Sequence, residues 1–380
     1  MPDWRDEFFD FGDAVYLNVA GQAPIPRVAA RALETAAGWK KLPHEIPDAE
    51  YFGLPDRVRA LLARMLGGKP HEFAITTGAS AGLAAVAYGL DFKPDDEILI
   101  ARGEFPAHIS TWAPLAAAGR LRVRMVAPSN RFHNSDDFIQ AIGPRTRLIS
   151  VSLVRFDDAV CFDAPRLAAA CHAVGGYLLL DVSQCAGAMP LDVASLGADF
   201  LVCAGYKWLL GPYGTGFLWV REGLIDQMRP GPFYWKALPG AENFHSLHLD
   251  PAHAAPVPRH ARRWDAPETS SFFNLAALEG SLELILRAGV ETIWQHNARL
   301  ISSMIERLPL DRCVLASPHE AAARGPYACV AARSAEKTAT LYEKLRTAKI
   351  FVSLREDALR VAPHLFNTPR DFDRFLEVIT

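Results

Sequence analysis

Residues 177–220 read YLLLDVSQCAGAMPLDVASLGADFLVCAGYKWLLGPYGTGFLWV. Three apolar runs lie within this stretch, and each has the length and composition of a strand that is buried on both faces of a sheet. The first run ends at Asp181, and Lys207 follows the second run. Because open α/β sheets bind ligands at the carboxyl ends of their strands, the pattern predicts an acid and a lysine on neighbouring strand ends.

Asp181 and Lys207 suit each other chemically. A lysine becomes a useful nucleophile where burial or nearby cations lower its pKa, and its typical covalent product is a Schiff base with a carbonyl. A nearby carboxylate stabilises a protonated pyridine nitrogen. The pair is therefore typical of a site for pyridoxal 5'-phosphate (PLP). A buried Asp–Lys pair without a cofactor is the alternative, because ion-pair networks also shift pKa values.

Around this pair, the sequence resembles the class V aminotransferase family of fold-type I PLP enzymes. The similarity consists of D-x-x-Q-x-x-G-x-x-x-x-D-V-x-x-x-G-A-D-F, starting at Asp181, and Y-K-W-L-x-G-P-x-G-x-G, starting at Tyr206. The resemblance implies that Lys207 forms the Schiff base, that Asp181 binds the pyridine nitrogen and that Gln184 contacts the ring hydroxyl or imine region. The family often has His before the lysine. Tyr206 matches the kynureninase-like branch and would place its hydroxyl on the cofactor phosphate.

A predicted strand runs into GASAG at residues 78–82, and an apolar helix follows. Small residues let backbone N–H groups approach a ligand, and a helix N-terminus attracts anions, so this segment is predicted to bind the phosphate. The candidates are Gly78, Ala79 and Ser80, and the resemblance gives Ser80 the place of a phosphate-binding threonine. The alternative is that Thr77 or Ser80 only caps the helix.

The same residues 78–82 also fit G-x-S-x-G, the nucleophile elbow of α/β hydrolases. In that interpretation Ser80 attacks an ester, with an Asp and a His supplied from further along the chain. Few strands are available before this segment, whereas an elbow normally lies in the middle of its sheet. The hydrolase hypothesis also leaves Asp181 and Lys207 without a role, and we keep it only as a remote alternative.

Two more cofactor contacts follow from the resemblance. The segment GEFPAH, at residues 103–108, takes the place of a family segment whose aromatic residue stacks on the cofactor ring, and Phe105 is that residue here. Many relatives have His at this place, and kynureninases share Phe-Pro but continue differently. Ala107 and His108 therefore depart from both patterns. Thr269 is the candidate for a threonine that reaches the phosphate of the neighbouring subunit.

The substrate candidates lie at the two ends of the chain. LRVAPHLFNT, at residues 359–368, resembles the family's R-x-S-x-H-x-Y-N-T, in which the arginine binds the substrate carboxylate. A planar guanidinium does this better than a lysine ammonium. Arg360 is the first choice and Arg355 the second, although a lone arginine in a strand also serves as a salt-bridge partner. Residues 16–18, YLN, resemble an arm that closes over the substrate and implicate Asn18; a plain strand end and turn is the alternative.

Composition narrows the class of protein. The chain has 380 residues, half of them hydrophobic and 22% charged, which is typical of a globular enzyme with a large core. A net charge of −3 does not suggest nucleic acid or an anionic membrane as a partner. The acidic start lacks the features of a signal peptide, and no apolar run approaches eighteen residues. Six cysteines without C-x-x-C spacing predict reduced thiols in a cytoplasmic protein.

A segment rich in proline contains four histidines, namely His245, His248, His253 and His260. They lack the helical H-E-x-x-H frame and a cysteine partner. We therefore predict no metal site.

Apolar runs before residue 177 alternate with helical patterns, which predicts a parallel, doubly wound α/β sheet. The resemblance implies the fold of PLP-dependent transferases (fold type I), with a large, mostly parallel seven-stranded sheet and a small α+β domain at the C-terminal end. We place the N-terminal arm at 1–20, the large domain at 21–260 and the small domain, with a strand at 350–354, at 261–380. The family also implies a homodimer with the active site at the subunit interface.

The resemblance implies an amino acid as the substrate, and a class V aminotransferase is the first choice. A PLP-dependent lyase, either cysteine desulfurase-like or kynureninase-like, is the second, because the family supports several reactions on one fold. Desulfurases of the family carry a persulfide-forming cysteine in the loop before the final arginine. Residues 349–360 contain no cysteine, which counts against a desulfurase but not against a simple C–S lyase. Intact Asp181, Gln184 and Lys207 argue against a non-catalytic protein.

Overall fold

The computed structural model describes residues 4–231, 234–238, 240–241, 243, 259–269 and 271–380. The strands in these ranges are β1 (Val15–Tyr16), β2 (Phe73–Thr76), β3 (Glu97–Ala101), β4 (Arg122–Val126), β5 (Thr146–Ser152), β6 (Tyr177–Asp181), β7 (Phe200–Ala204), β8 (Gly216–Val220), β9 (Cys313–Leu315), β10 (Ala328–Ala332), β11 (Ile350–Phe351), β12 (Ser353–Arg355) and β13 (Ala358–Val361). The α-helices are α1 (Arg27–Lys41), α2 (Glu50–Leu66), α3 (Ala79–Gly89), α4 (Pro106–Ala117), α5 (Ser135–Ala141), α6 (Ala164–His172), α7 (Val193–Leu196), α8 (Glu222–Ile225), α9 (Phe272–Ala288), α10 (Val290–Glu306), α11 (Ala335–Thr347) and α12 (Pro369–Ile379).

Among the described residues, seven strands form one sheet in the order β2–β8–β7–β6–β5–β3–β4. Neighbouring strands from β4 to β7 are parallel, whereas β8 is antiparallel to both β7 and β2. The predicted large, mostly parallel seven-stranded sheet is therefore confirmed. In this strand order, β6 and β7 lie next to each other near the centre of the sheet. β6 ends at Asp181, and β7 precedes Lys207.

β7 and β8 contain no charged residue and lie in the part of the sheet that is covered on both faces. All residues of β7 and β8 are buried. One face packs against α3 and α4, and the other belongs to a core that includes residues of α2, α6 and α9. A strand covered on both sides has no polar face, which explains why the sequence shows uninterrupted apolar runs instead of alternation.

A smaller antiparallel sheet has the order β12–β13–β10–β9. Its core includes side chains from α10, α12 and the segment around β1. The prediction of a single strand at 350–354 is wrong, because this segment forms two strands that pair with different partners. β11 pairs with β1 of the N-terminal segment, and β12 pairs with β13. The chain changes partner at the residue between them.

The division into an arm, a large domain and a small domain stays a proposal. α9 packs against α1 and α2 and contributes to the core of the large sheet. We therefore propose that the large domain continues through α9, beyond the boundary expected at residue 260. No helix among the described residues is both long and apolar enough to cross a bilayer. The cytoplasmic location stays a prediction.

The close approach of β8 to the loop after β2 requires a glycine. Gly216 pairs with Thr76, the last residue of β2. A Cβ atom built on Gly216 would lie 2.3 Å from the carbonyl oxygen of Cys203 and 2.7 Å from the Cα atom of Gly78. Both obstacles are backbone atoms, so a side chain at Gly216 would push apart the strand and the loop that leads into α3.

We therefore expect Gly216→Ala to lower the free energy of unfolding by about 1–3 kcal/mol, the usual cost of overpacking. Urea denaturation followed by circular dichroism measures it. Gly223→Ala is the matched control, because a Cβ atom there meets no atom within 4 Å; its effect should stay within about 0.5 kcal/mol. Equal stability of both variants and the wild type would contradict the close approach.

Candidate active site

Lys207 follows the carboxyl end of β7 and is almost completely buried, with 6% of its surface exposed. Its Nζ atom lies 5.1 Å from the ring centroid of Phe105 and 5.7 Å from that of Tyr206. The two rings surround the amine with apolar surface. The amine of Lys207 is therefore largely removed from water and lies beside two aromatic rings.

Burial lowers the pKa of Lys207 to about 8. The carboxylate of Asp181 acts in the opposite direction, while the positive charges of Arg360 and Arg355 lower the pKa further. Near neutral pH, Lys207 therefore has a much larger uncharged fraction than an ordinary lysine, whose pKa is 10.5. An uncharged amine is the form that attacks a carbonyl or accepts a proton.

Asp181 is the last residue of β6 and is 5% exposed. One carboxylate oxygen, Oδ1, accepts a hydrogen bond of 2.8 Å from the backbone N–H of Ser183. The other oxygen, Oδ2, lies 3.9 Å from Nε2 of His108. The carboxylate is thus held from one side and has an open side toward the cavity that also contains Lys207.

Asp181 and Lys207 line one cavity of about 140 Å³. Its walls come from the loop before α3 and the first turn of that helix, the start of α4, and the segments after β6 and β7. The structure brings these predicted site residues together in its lining: Gly78, Ala79, Ser80, Phe105, Asp181, Tyr206 and Lys207. Ser183 and Tyr213 also line it and were missed, because neither belongs to a residue type that marks a site by itself.

The start of α3 is open toward this cavity. Gly78 is the N-cap residue, and no side chain caps the helix. The alternative in which Thr77 or Ser80 caps α3 is therefore wrong. Ser80 is exposed and Gly78 has a φ of 151°, with no atom within 4 Å of an added Cβ. Free N–H groups at a helix N-terminus attract a phosphate.

Together, these residues fit PLP. The helix start suits the phosphate, Phe105 offers a flat apolar surface for the ring, Asp181 suits the ring nitrogen and Lys207 suits the aldehyde. The hydrolase alternative does not fit. The elbow-like segment follows β2, which is an edge strand, and no histidine lines the cavity within the described residues.

Arg360 and Asn18 are brought together by a residue that the sequence reasoning missed. Arg360 is 2% exposed and donates from Nη1 to the carbonyl of Phe156 at 3.0 Å and from Nη2 to Oγ of Ser353 at 3.4 Å. Ser353 in turn donates to Oδ1 of Asn18. Ser353 pairs directly with Arg360 across β12 and β13, so the register of this hairpin was the signal that would have found it.

Arg355, the second candidate, is exposed and donates to the carbonyl of Leu354. Gln184 is buried, and its amide is already engaged: Nε2 donates to the carbonyl of Ala20 at 3.1 Å, and Oε1 accepts from the indole of Trp208 at 3.1 Å. Gln184 does not line the cavity. Its contact with PLP stays a prediction.

Thr269 is buried and donates to the carbonyl of Ala266 at 2.7 Å, away from the cavity of Lys207. Its predicted contact with the phosphate of a neighbouring subunit stays a prediction. His245, His248 and His253 lie outside the described residues. His260 is half-buried, and burial lowers its pKa.

The fold and the cavity together define a PLP-dependent enzyme of fold type I. The chain belongs to the class V aminotransferase family, because the family model described as "Aminotransferase class-V" matches residues 15–355. PLP is the cofactor of this family.

Three comparisons illustrate the range of relatives. The uncharacterized aminotransferase YcbU of Bacillus subtilis (strain 168) is 27% identical over 83% of this chain and 80% of its own length. The kynureninase of Deinococcus radiodurans is 29% identical over 84% of this chain and 78% of its own length. A solved structure of a C-DES variant, with glycine covalently linked to its PLP cofactor, superimposes with a TM-score of 0.88 at 21% identity and covers 100% of this chain and 99% of its own.

The charge environment of Lys207 predicts how its reactivity depends on pH. In the PLP-free protein, trace labelling with acetic anhydride should modify Lys207 with a midpoint near pH 8, read by mass spectrometry. Asp181→Asn removes a charge that raises the pKa and should move the midpoint lower. Arg360→Gln removes a charge that lowers the pKa and should move it higher. A midpoint near 10.5, unmoved by either variant, would contradict the arrangement.

Proposed function

We propose that the protein is a class V aminotransferase that acts on an amino acid through a Schiff base at Lys207. One observation carries the proposal: the amine of Lys207 and the carboxylate of Asp181 line the same cavity, beside the ring of Phe105. When bound, PLP supplies an aldehyde for the amine and a pyridine ring that withdraws electrons. We also propose the homodimer that the family implies.

Each residue of the cavity has a distinct part in this proposal. The carboxylate of Asp181 holds a proton on the ring nitrogen by ion pairing. The free N–H groups at the start of α3 bind the phosphate, and Tyr206 adds its hydroxyl there. Phe105 covers one face of the ring and excludes water. Once the amino group of the substrate has displaced Lys207 from the aldehyde carbon, the freed amine of Lys207 would remove the proton from Cα of the amino acid as a general base.

Arg360 is the proposed ligand for the substrate carboxylate. Its guanidinium is oriented by Phe156 and Ser353, while its buried Nε atom has no hydrogen-bond partner among the described residues. Its charge also lowers the pKa of Lys207. A buried arginine with an unused donor is costly, and a bound carboxylate would satisfy it.

The cysteines argue against a desulfurase. Burial raises the pKa of each of the six thiols, and a thiol with a raised pKa is a poor nucleophile. The segment before Arg360 also leaves no room for a catalytic loop, because β12 and β13 are joined by a turn of two residues, Glu356 and Asp357. A lyase that uses only Lys207 is the remaining alternative.

Turnover assays test the reaction class. With PLP and a panel of amino acids, we expect amino-group transfer that depends on an added keto acid, and Lys207→Ala should abolish it. Chromatography of the amino and keto acid products is the measurement. Release of ammonia or sulfide without a keto acid would show that the enzyme is a lyase and not an aminotransferase. No turnover and no PLP adduct would contradict both.

Arg360→Lys tests the substrate contact. Lysine keeps the charge but loses the planar pair of donors, so we expect KM for the amino acid to rise about 10- to 100-fold, the loss of a charged hydrogen bond. Arg355→Lys is the matched control on the exposed neighbouring strand and should change KM less than about threefold. A larger effect of Arg355→Lys would exchange the two assignments.

A further inference from the structure

Behind Asp181 lies a buried polar chain that no part of the proposed chemistry uses. His108, in the first turn of α4, is completely buried. Its Nδ1 atom lies 2.9 Å from Oγ of Ser150, and its Nε2 atom lies 3.9 Å from Oδ2 of Asp181. Nε2 has no hydrogen-bond partner among the described residues. Such an atom is rare in a folded protein and calls for a physical explanation.

The hydrogen bonds around Ser150 favour one position for the ring proton of His108. The indole N–H of Trp112 donates to Oγ of Ser150 at 2.9 Å, and an indole can only donate. Among the described residues the hydroxyl proton of Ser150 has no acceptor other than Nδ1 of His108, so the hydroxyl donates to Nδ1. That arrangement places the ring proton on Nε2, facing Asp181. If the imidazole carries two protons, Nε2 still holds one.

The opposite tautomer is disfavoured by electrostatics. It would place the lone pair of Nε2 3.9 Å from the carboxylate oxygen of Asp181, with both side chains buried. Two electron-rich atoms would then face each other at low dielectric, and Nε2 would be a buried acceptor without a donor. The described residues contain no donor that would satisfy it.

Each carboxylate oxygen of Asp181 thereby has a polar neighbour. Its Oδ1 atom accepts the N–H of Ser183, whose own hydroxyl accepts the N–H of Ala204 on β7. Its Oδ2 atom faces the N–H of His108. Trp112, Ser150 and His108 come from α4 and β5, so two elements outside the β6–β7 region form the surroundings of Oδ2.

We propose that His108 is a positioning residue: its Nε2–H, set by Trp112 and Ser150, orients the Asp181 carboxylate so that it holds the proton on the ring nitrogen of PLP. The proposal rests on the Asp181 contact in the proposed function. It assigns a role to the residue at which this chain departs from the family pattern. It concerns the protonation of the cofactor, and is independent of which amino acid is the substrate.

Two substitutions separate the two nitrogens of the imidazole. The amide of His108→Asn reaches about as far as Nδ1 and keeps the contact with Ser150, but leaves Oδ2 of Asp181 without a facing N–H. The amide of His108→Gln reaches about as far as Nε2 and restores a donor to Asp181. If His108 only filled space in the core, His108→Asn and His108→Gln would have similar effects on the cofactor.

The holoenzyme, loaded with PLP that is ¹⁵N-labelled at the ring nitrogen, gives the readout. We expect wild type and His108→Gln to show the solid-state ¹⁵N chemical shift of a protonated pyridine. His108→Asn should move toward the unprotonated shift and bind PLP about 3- to 10-fold more weakly, because the carboxylate loses the polar group that orients it. Ser150→Ala, which leaves His108 in place, should move the shift in the same direction.

Two reference variants make each outcome decisive. His172→Asn breaks another His–Asp contact, in which His172 at the end of α6 lies 2.9 Å from Asp199 just before β7, and should leave the ¹⁵N shift unchanged. Asp181→Asn should move the shift most. If Asp181→Asn moves the ¹⁵N shift but neither His108→Asn nor Ser150→Ala does, the proposed role of His108 is wrong and the contact of Asp181 with PLP still stands. If Asp181→Asn has no effect, the Asp181 contact fails and the inference fails with it.

Discussion

The account depends on one electrostatic constraint, the burial of an amine beside a carboxylate at the ends of two adjacent parallel strands. Burial alone strongly disfavours the charged form of Lys207, and the carboxylate of Asp181 partly restores it. The result is an amine that titrates near the pH of a typical reaction. Most of the neighbouring structure maintains this balance, since the apolar strands exclude water and the rings of Phe105 and Tyr206 surround the amine.

The two ends of the chain contribute to the same region. The N-terminal segment reaches the small sheet through the pairing of β1 with β11 and the contact of Asn18 with Ser353. It also reaches the large sheet through the bond between Ala20 and Gln184. Arg360 lies where these contacts converge. A motion of the arm or of the small sheet would therefore change the position of the proposed substrate ligand relative to Lys207.

Much of the fold was predictable because its signals are local. The central buried strands contain continuous apolar runs; Asp181 follows one of these runs directly, and Lys207 comes shortly after the next. The phosphate-binding segment at Gly78, Ala79 and Ser80 was likewise predictable, because small residues stand there between a strand and a helix. These features need no knowledge of distant parts of the chain.

The rest depends on pairing between distant segments. Ser353 joins Asn18 to Arg360 only because β12 pairs with β13 in one register, and a serine in a strand carries no signal by itself. The split of the strand at 350–354 has the same origin, because its two halves pair with different segments. His108 and Ser150 lie 42 positions apart and meet only through the packing of α4 on β5. Contacts with a second subunit, as proposed for Thr269, are beyond any single chain.

The central claim is that Lys207 carries PLP with Asp181 at the other end of its ring. The most direct measurement is borohydride reduction of the holoenzyme, followed by proteolysis and mass spectrometry of the peptides. The account predicts a phosphopyridoxyl group on the peptide that contains Lys207 and on no other lysine. An adduct on a different lysine, or none after loading with PLP, would contradict it.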